Sequence, residues 1–153
     1  MINPILNKGG FGKSYTREET VRRIRPLAEL HHRLVYAYLY AIEHLSDREV
    51  AAELDALQPE NRTDGAKLME VIYANGGYAS TGAELQLEQM DLGKDDASIL
   101  RKLLELEETF YNQVKKEYED KNHQIRTLAI LENVLRHSEE RLKKLKTLQK
   151  QTV

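Results

Sequence analysis

A single acidic residue, Glu107, lies in the middle of an otherwise apolar helical stripe and restricts how this chain can fold. Leu103, Phe110 and Val114 recur around it at intervals of three and four residues, which places all of these side chains on one face of an α-helix. A carboxylate buried in such a stripe must be protonated, paired or bound to a cation, because burying an isolated charge costs too much free energy. If the carboxylate is paired or shares a bound cation, another helix must bring a polar group to the same depth.

The composition favours one all-α domain. The 153 residues are 31% charged and 7% aromatic, with only 8 glycines and 3 prolines. The absence of cysteine excludes disulfides, thiolate zinc sites and cysteine nucleophiles. The net charge is -2, and the sequence has no basic stripe, no signal peptide and no long apolar run. We therefore expect a cytoplasmic protein that binds neither nucleic acid nor membranes.

Start and stop signals divide the chain into four long helices. Thr16 and Glu19 form a capping-box pattern at the start of the first helix. A second box, Ser46 with Glu49, follows directly after that helix, and Gly76 is a strong stop signal after the second. The sequence predicts helices near 16–45, 46–75, 95–119 and 122–148.

The connections between these helices are short, long and short. Such connections are typical of two antiparallel hairpins joined by a crossover, here at 76–94, and this is the ferritin-like four-helix bundle. Pro59 leaves two alternatives for the second helix, a kink within one helix or two shorter helices broken at Gln58-Pro59. We expect a flexible arm at 1–15, the bundle at 16–148 and a frayed C-terminus at 149–153.

Polar residues interrupt the apolar stripe of each predicted helix near its middle. They are His31, Asn61, Asp64, Glu107 and Ser138. Di-iron carboxylate proteins bind metal in this part of a bundle, which makes His31, Asp64 and Glu107 candidate ligands for iron or another divalent metal. In the alternative, His31 and Glu107 hydrogen-bond directly and no ion is bound. The helical wheel directs His137 away from this layer.

Helical periodicity also predicts the core and an association surface. We expect nearly complete burial of Val35, Leu54, Leu103, Phe110, Leu131 and Leu135. On the outer face of the first helix, Tyr36, Leu39 and Tyr40 leave more apolar surface than solvent requires. We therefore predict a homo-oligomer, most simply a two-fold dimer, that forms through this face.

Five short stretches carry a resemblance to a family of proteins. They are Tyr38-Leu39-Tyr40-Ala41-Ile42-Glu43, Ser46-Asp47, Gly76-Gly77, Asp95-Asp96-Ala97-Ser98-Ile99-Leu100 and Arg136-His137-Ser138. With these stretches, residues 26–148 resemble uncharacterised bacterial ferritin-like proteins, which are relatives of the rubrerythrin and ferritin superfamily. The resemblance implies the ferritin-like fold together with iron binding, oxidation or storage chemistry.

The E-x-x-H ligand motif of that superfamily is missing from the second and fourth predicted helices. Glu70 is followed at this spacing by Tyr73, and His137 is preceded by Val134. We therefore predict a non-catalytic scaffold or self-associating protein with an incomplete di-iron site. The alternative is a metal-binding or oxidase-like protein of the same fold that uses the reduced ligand set named above.

Overall fold

The computed structural model describes residues 14–78 and 89–152, and the regular elements among them are α-helices. The helices are α1 (Arg17–His44), α2 (Arg48–Asp55), α3 (Gln58–Ala74), α4 (Asp96–Tyr118) and α5 (Ile125–Thr152). The described residues contain no β-strand, which confirms the predicted all-α fold class. None of these helices combines the length and the apolar character that crossing a membrane requires.

The second predicted helix is divided into α2 and α3. The chain leaves the regular helix at Ala56 and Leu57, where the Leu57 amide bonds to the Leu54 carbonyl three residues earlier (3.0 Å). Pro59 lies in the first turn of α3, where its missing N–H leaves no helical hydrogen bond unmade. The alternative of two shorter helices is therefore confirmed, with the break at Ala56 and Leu57 rather than at Gln58-Pro59, and the prediction of one kinked helix is wrong.

The caps of the first two helices differ in how well they match the sequence signals. The predicted capping box of α1 is present, with Thr16 and Glu19 each accepting a hydrogen bond from the other's backbone amide (both 3.1 Å). The second predicted box is wrong, because Asp47 rather than Ser46 caps α2. Ser46 instead donates its amide and hydroxyl to Asp96 (2.8 and 2.9 Å), which ties this turn to the start of α4.

Each of α1 and α5 packs against both α3 and α4. Arg17 at the start of α1 reaches the Ala74 carbonyl at the end of α3 (3.1 Å). Arg23 of α1 pairs with Glu117 near the end of α4 (3.1 Å), so α1 runs opposite to both of its neighbours. The start of α1, the end of α3 and the turn between α4 and α5 thus meet at one end of the bundle, which we call the Tyr15 end.

The buried stripes of the two longest helices are rotated from the predicted ones. Four predicted core residues are fully buried, namely Leu54, Leu103, Phe110 and Leu131. The prediction is wrong for Val35 and Leu135, which are half-buried, because Leu34 and Val134 enter the core instead. At these points each helix has two adjacent apolar residues, Leu34 and Val35 in α1 and Val134 and Leu135 in α5. The buried stripe of each helix is rotated about the helix axis by ~50° from the predicted stripe, which is half of the ~100° between successive residues.

The predicted association surface on α1 is half-buried within the chain. Tyr36 and Tyr40 pack against the core, and the Tyr40 hydroxyl donates to the Gly93 carbonyl (2.7 Å). Leu39, between them, is also half-buried. Association through this face stays a prediction.

Candidate functional site

Glu107 is fully buried near the middle of α4, as its apolar stripe predicts. Its Oε1 accepts hydrogen bonds from the Tyr38 hydroxyl (2.6 Å) and from Arg141 Nε (2.8 Å). Its Oε2 accepts from the Ser138 hydroxyl (2.7 Å) and from Arg141 Nη2 (3.3 Å). The carboxylate is therefore paired, which is one of the three states that its burial allows.

Arg141 of α5 is the cation that joins the buried carboxylates. Its side chain is 1% exposed, and its Nη1 donates to Asp64 Oδ2 on α3 (3.0 Å). Burial disfavours the charged guanidinium, but the adjacent Glu107 carboxylate outweighs this effect and raises the pKa of Arg141. Burial and the Glu107 charge also raise the pKa of Tyr38, so this phenol stays neutral and donates.

The network continues from Asp64 towards the surface through His137. His137 Nδ1 lies 2.8 Å from Asp64 Oδ1, and its Nε2 lies 3.6 Å from the partly exposed Glu60. The wheel prediction that His137 points away from this layer is wrong. Because the buried stripe of α5 is rotated from the predicted one, Val134 and Arg141 face the bundle interior. His137 follows Val134 by three residues and precedes Arg141 by four, so it lies next to both on the helix surface.

His31 belongs to the same layer of the bundle but has a different partner. Its Nε2 lies 2.8 Å from the Asn61 amide oxygen, so the predicted direct hydrogen bond between His31 and Glu107 is wrong. Burial, followed by the positive charge of Arg141, lowers the pKa of His31 to about 4, which keeps the imidazole neutral near pH 7. The ring lies close to α3, since a β-carbon added at Gly65 would be 2.9 Å from His31 Nδ1.

The structure thus separates the predicted ligand set. Asp64 and Glu107 meet at one guanidinium, whereas His31 faces Asn61. Arg141 was missed because an arginine is normally placed on the surface of a helix. Its spacing was the available signal, since alternating steps of four and three residues connect the buried stripe of α5. The stripe comprises Thr127, Leu131, Val134, Ser138, Arg141, Leu145 and Leu148.

A second cluster of potential metal ligands lies at the Tyr15 end. Each of Glu117, Asp120 and His123 offers a ligand atom within 4.8 Å of the other two. Among the described residues, no other group of three histidine or acidic side chains comes this close together. His123 Nε2 lies 2.7 Å from Glu117 Oε1. Arg23 pairs with both carboxylates, at 3.1 Å from Glu117 and 3.2 Å from Asp120. Here too an arginine side chain holds the acidic groups.

Tyr15 is fixed against this cluster. Its hydroxyl donates to Asp120, its amide donates to the Asn122 carbonyl (2.7 Å), and its ring meets His123 edge-on with centroids 4.9 Å apart. The Arg23 guanidinium lies 4.7 Å from the centre of the same ring. The predicted flexible arm at 1–15 is therefore wrong for Tyr15, while residues 1–13 lie outside the described part of the chain.

The mid-bundle network can form ion pairs and hydrogen bonds, and both carboxylates are already engaged in them. Every oxygen of Glu107 and Asp64 accepts from a guanidinium, a hydroxyl or an imidazole.

Comparison of the chain with models of protein families, with curated proteins and with solved structures finds no match.

Proposed function

We propose that this chain is a non-catalytic, self-associating bundle of the ferritin-like type, in which a buried arginine takes the place of a metal centre. The observation that carries the proposal is the contact of Arg141 with Glu107 (2.8 Å) and Asp64 (3.0 Å) in the middle of the bundle. These are two of the three residues that the sequence predicts as metal ligands.

Electrostatics argue against a metal ion beside this guanidinium. A divalent ion about 4 Å from a single positive charge is repelled by roughly 8 kcal/mol at an effective dielectric constant of about 20. Arg141 cannot escape this repulsion by losing its proton, because Glu107 raises its pKa further. A metal ion would have to displace a side chain that is 1% exposed and hydrogen-bonded to two carboxylates.

The helix contacts support the ferritin-like arrangement. The end of α3 lies at the Tyr15 end, whereas Asp96 at the start of α4 contacts Ser46 at the opposite end of α1. These two positions at opposite ends of the bundle support a connection that crosses its length, as the crossover of a ferritin-like fold does. Residues 79–88 of that connection lie outside the described residues.

Self-association is proposed through the outer face of α1, where Tyr36, Leu39 and Tyr40 form a half-buried apolar surface. Sedimentation at high micromolar concentration tests it, and we expect a dimer that Leu39→Glu dissociates. Arg33→Gln, at an exposed position of the same helix, is the matched control and should leave the dimer intact. A wild-type monomer at that concentration would rule out self-association.

Elemental analysis of protein purified without a metal-affinity tag tests the absence of a metal centre. We expect metal well below one equivalent per chain, with no difference between the wild type and Glu107→Gln. One equivalent of a transition metal that Glu107→Gln loses would contradict the proposal, because the carboxylate would then be a ligand.

A second candidate function is metal binding at the Tyr15 end. It is favoured by the close approach of ligand atoms from Glu117, Asp120 and His123, within 4.8 Å of one another. Arg23 is 32% exposed and can turn into solvent if an ion takes its place. Calorimetric titration with Zn²⁺ tests this function, and it predicts one site that is lost in His123→Ala but retained in Glu107→Gln.

A further inference from the structure

Two buried amide side chains of α3 each have one polar atom that is not hydrogen-bonded to the protein. Asn61 is 0% exposed and Gln58 is 2% exposed. Within the part of the chain that the structure describes, Asn61 Nδ2 and Gln58 Oε1 have no hydrogen-bond partner. Burying such a group without a hydrogen bond costs roughly 1–3 kcal/mol, and buried polar groups are therefore almost always hydrogen-bonded. Both atoms require a partner inside the bundle.

The two side chains are neighbours on the buried face of α3. Gln58 precedes Asn61 by three residues, a spacing that places their β-carbons about 5–6 Å apart. The free atom of Asn61 is a donor and that of Gln58 is an acceptor, so they complement each other. The other unpartnered buried atoms of the described residues, Thr20 Oγ1 and His123 Nδ1, belong to α1 and to the α4–α5 turn.

The second polar atom of each amide is hydrogen-bonded to another helix, and this fixes which atom is left free. The Gln58 amide nitrogen donates to the Leu54 carbonyl of α2 (3.4 Å), so its oxygen is the free atom. Asn61 Oδ1 lies 2.8 Å from His31 Nε2 of α1. This oxygen can only accept, so Nε2 of His31 carries a proton and donates it, and the NH₂ group of Asn61 is left free.

We propose that a single internal water molecule binds between these side chains, accepts a hydrogen bond from Asn61 Nδ2 and donates one to Gln58 Oε1. The structure shows no direct hydrogen bond between the two atoms, and water commonly bridges polar groups that do not bond directly. Water can both accept and donate, whereas a cation would be repelled by the Asn61 N–H groups and an anion by the Gln58 oxygen. Two hydrogen bonds lie within the range of about 2–4 that buried waters make.

The bridge completes a series of hydrogen bonds that connects three helices. His31 of α1 donates to Asn61, Asn61 to the water, the water to Gln58, and Gln58 to Leu54 of α2. All the donors point in the same direction, and hydrogen bonds in such a series polarise and strengthen one another. The water therefore connects the break between α2 and α3 to α1, and it holds the Asn61 amide in the orientation that accepts from His31.

Nuclear Overhauser spectroscopy between water and the ¹⁵N-labelled full-length protein tests the bridge. An internal water molecule tumbles with the protein, so its cross-peaks have the sign of those within the protein, unlike the cross-peaks of mobile surface water. We expect such a cross-peak between water and the side-chain NH₂ protons of Asn61. The side chain of Asn75 is the internal reference and should lack it, because its Nδ2 donates to the Val71 carbonyl (2.8 Å).

Two variants distinguish a bridging water from proton exchange with a nearby hydroxyl group. Gln58→Met keeps a similar volume but removes the oxygen that accepts from the water, so the cross-peak at Asn61 should disappear. Arg62→Met, at an exposed position of the same helix, is the matched control and should retain it. Absence of the cross-peak in the wild type, or its persistence in Gln58→Met, would overturn the proposal. The wild-type measurement is decisive even if Gln58→Met does not fold.

Discussion

The mid-bundle network and the cluster at the Tyr15 end are built from the same side-chain types in different surroundings. Each joins two carboxylates to one arginine, one histidine and one tyrosine hydroxyl. The arginine of the network, Arg141, is 1% exposed, whereas Arg23 of the end cluster is 32% exposed. The two sites therefore differ mainly in their access to water.

This difference determines what happens when the arginine is lost. At the Tyr15 end, Arg23, Glu117 and Asp120 are only partly buried (32%, 14% and 20% exposed), so water can reach them, and we expect their ion pairs to contribute close to the ~0.2–1 kcal/mol of exposed pairs. Around Glu107 and Asp64 no water takes over, and breaking a buried pair costs about 3–5 kcal/mol because a bare charge stays behind. Carboxylate and histidine side chains that lie close together therefore do not by themselves indicate a metal site, because in both places an arginine forms ion pairs with the carboxylates.

The largest expected effect comes from Arg141→Met, which keeps the apolar volume and removes the charge. We expect a loss of about 3–5 kcal/mol in the free energy of unfolding, because Glu107 and Asp64 lose their shared cation. Urea denaturation monitored by circular dichroism measures it. A loss below about 1 kcal/mol, the range of an exposed ion pair, would erase the distinction between the two sites.

The next effect concerns pH and arises from His31 in the buried layer. Its pKa is lowered to about 4 in the folded protein, against 6.5 ordinarily, so between these values only the unfolded chain binds the proton. The free energy of unfolding should therefore fall by about 3 kcal/mol as pH decreases from 6.5 to 4.

Other groups also titrate in this range, and His31→Gln isolates the contribution of the imidazole. The variant retains a hydrogen-bond donor for Asn61 but has no group that titrates there. Urea denaturation at several pH values should give a shallower slope for the variant than for the wild type. Equal slopes would show that His31 does not stay neutral in the folded state.

A smaller effect is expected for Gly65→Ala, which probes how closely His31 approaches α3. The new methyl group would lie 2.9 Å from the imidazole, and His31 is held by Asn61, so we expect a loss of about 1–3 kcal/mol. In the background His31→Ala the clash is gone, and the higher helix propensity of alanine should stabilise the protein by about 1 kcal/mol. Thermal denaturation of the four proteins measures both changes, and the same sign in both backgrounds would contradict the contact.

The smallest effect is expected for Arg23→Met, the counterpart of Arg141→Met at the Tyr15 end. Its loss should be about 1 kcal/mol or less, because Glu117 also contacts His123 and both carboxylates can be hydrated. Urea denaturation under the conditions used for Arg141→Met gives the comparison directly. A loss as large as that of Arg141→Met would mean that burial does not control the energetics of these sites.

Helical periodicity predicted the depth of the polar layer but not its pairing. The burial of Glu107, Asp64 and Leu54 follows from three- and four-residue spacing, which any regular helix converts into a face. The choice between Leu34 and Val35 does not follow, since both are apolar and only contacts with other helices decide which of them turns inward.

The same rotation in α5 explains why the central cation was missed. It brings Arg141 inward and His137 into contact with Asp64. An arginine beside Leu142 is expected on the surface unless its partners are known, and those partners lie on other helices. The fixed position of Tyr15 was also missed, because its contacts with the α4–α5 turn are distant in sequence.

The central claim is that Arg141 is the cation that neutralises Glu107. A double-mutant cycle with Glu107→Gln, Arg141→Met and the double variant measures this interaction through the free energies of unfolding. The account predicts that the double variant loses about 2–3 kcal/mol less than the sum of the two single variants, since Arg141→Met leaves Glu107 without its cation and Glu107→Gln leaves Arg141 with Asp64 as its one carboxylate partner. Additive losses, within about 0.5 kcal/mol, would contradict it.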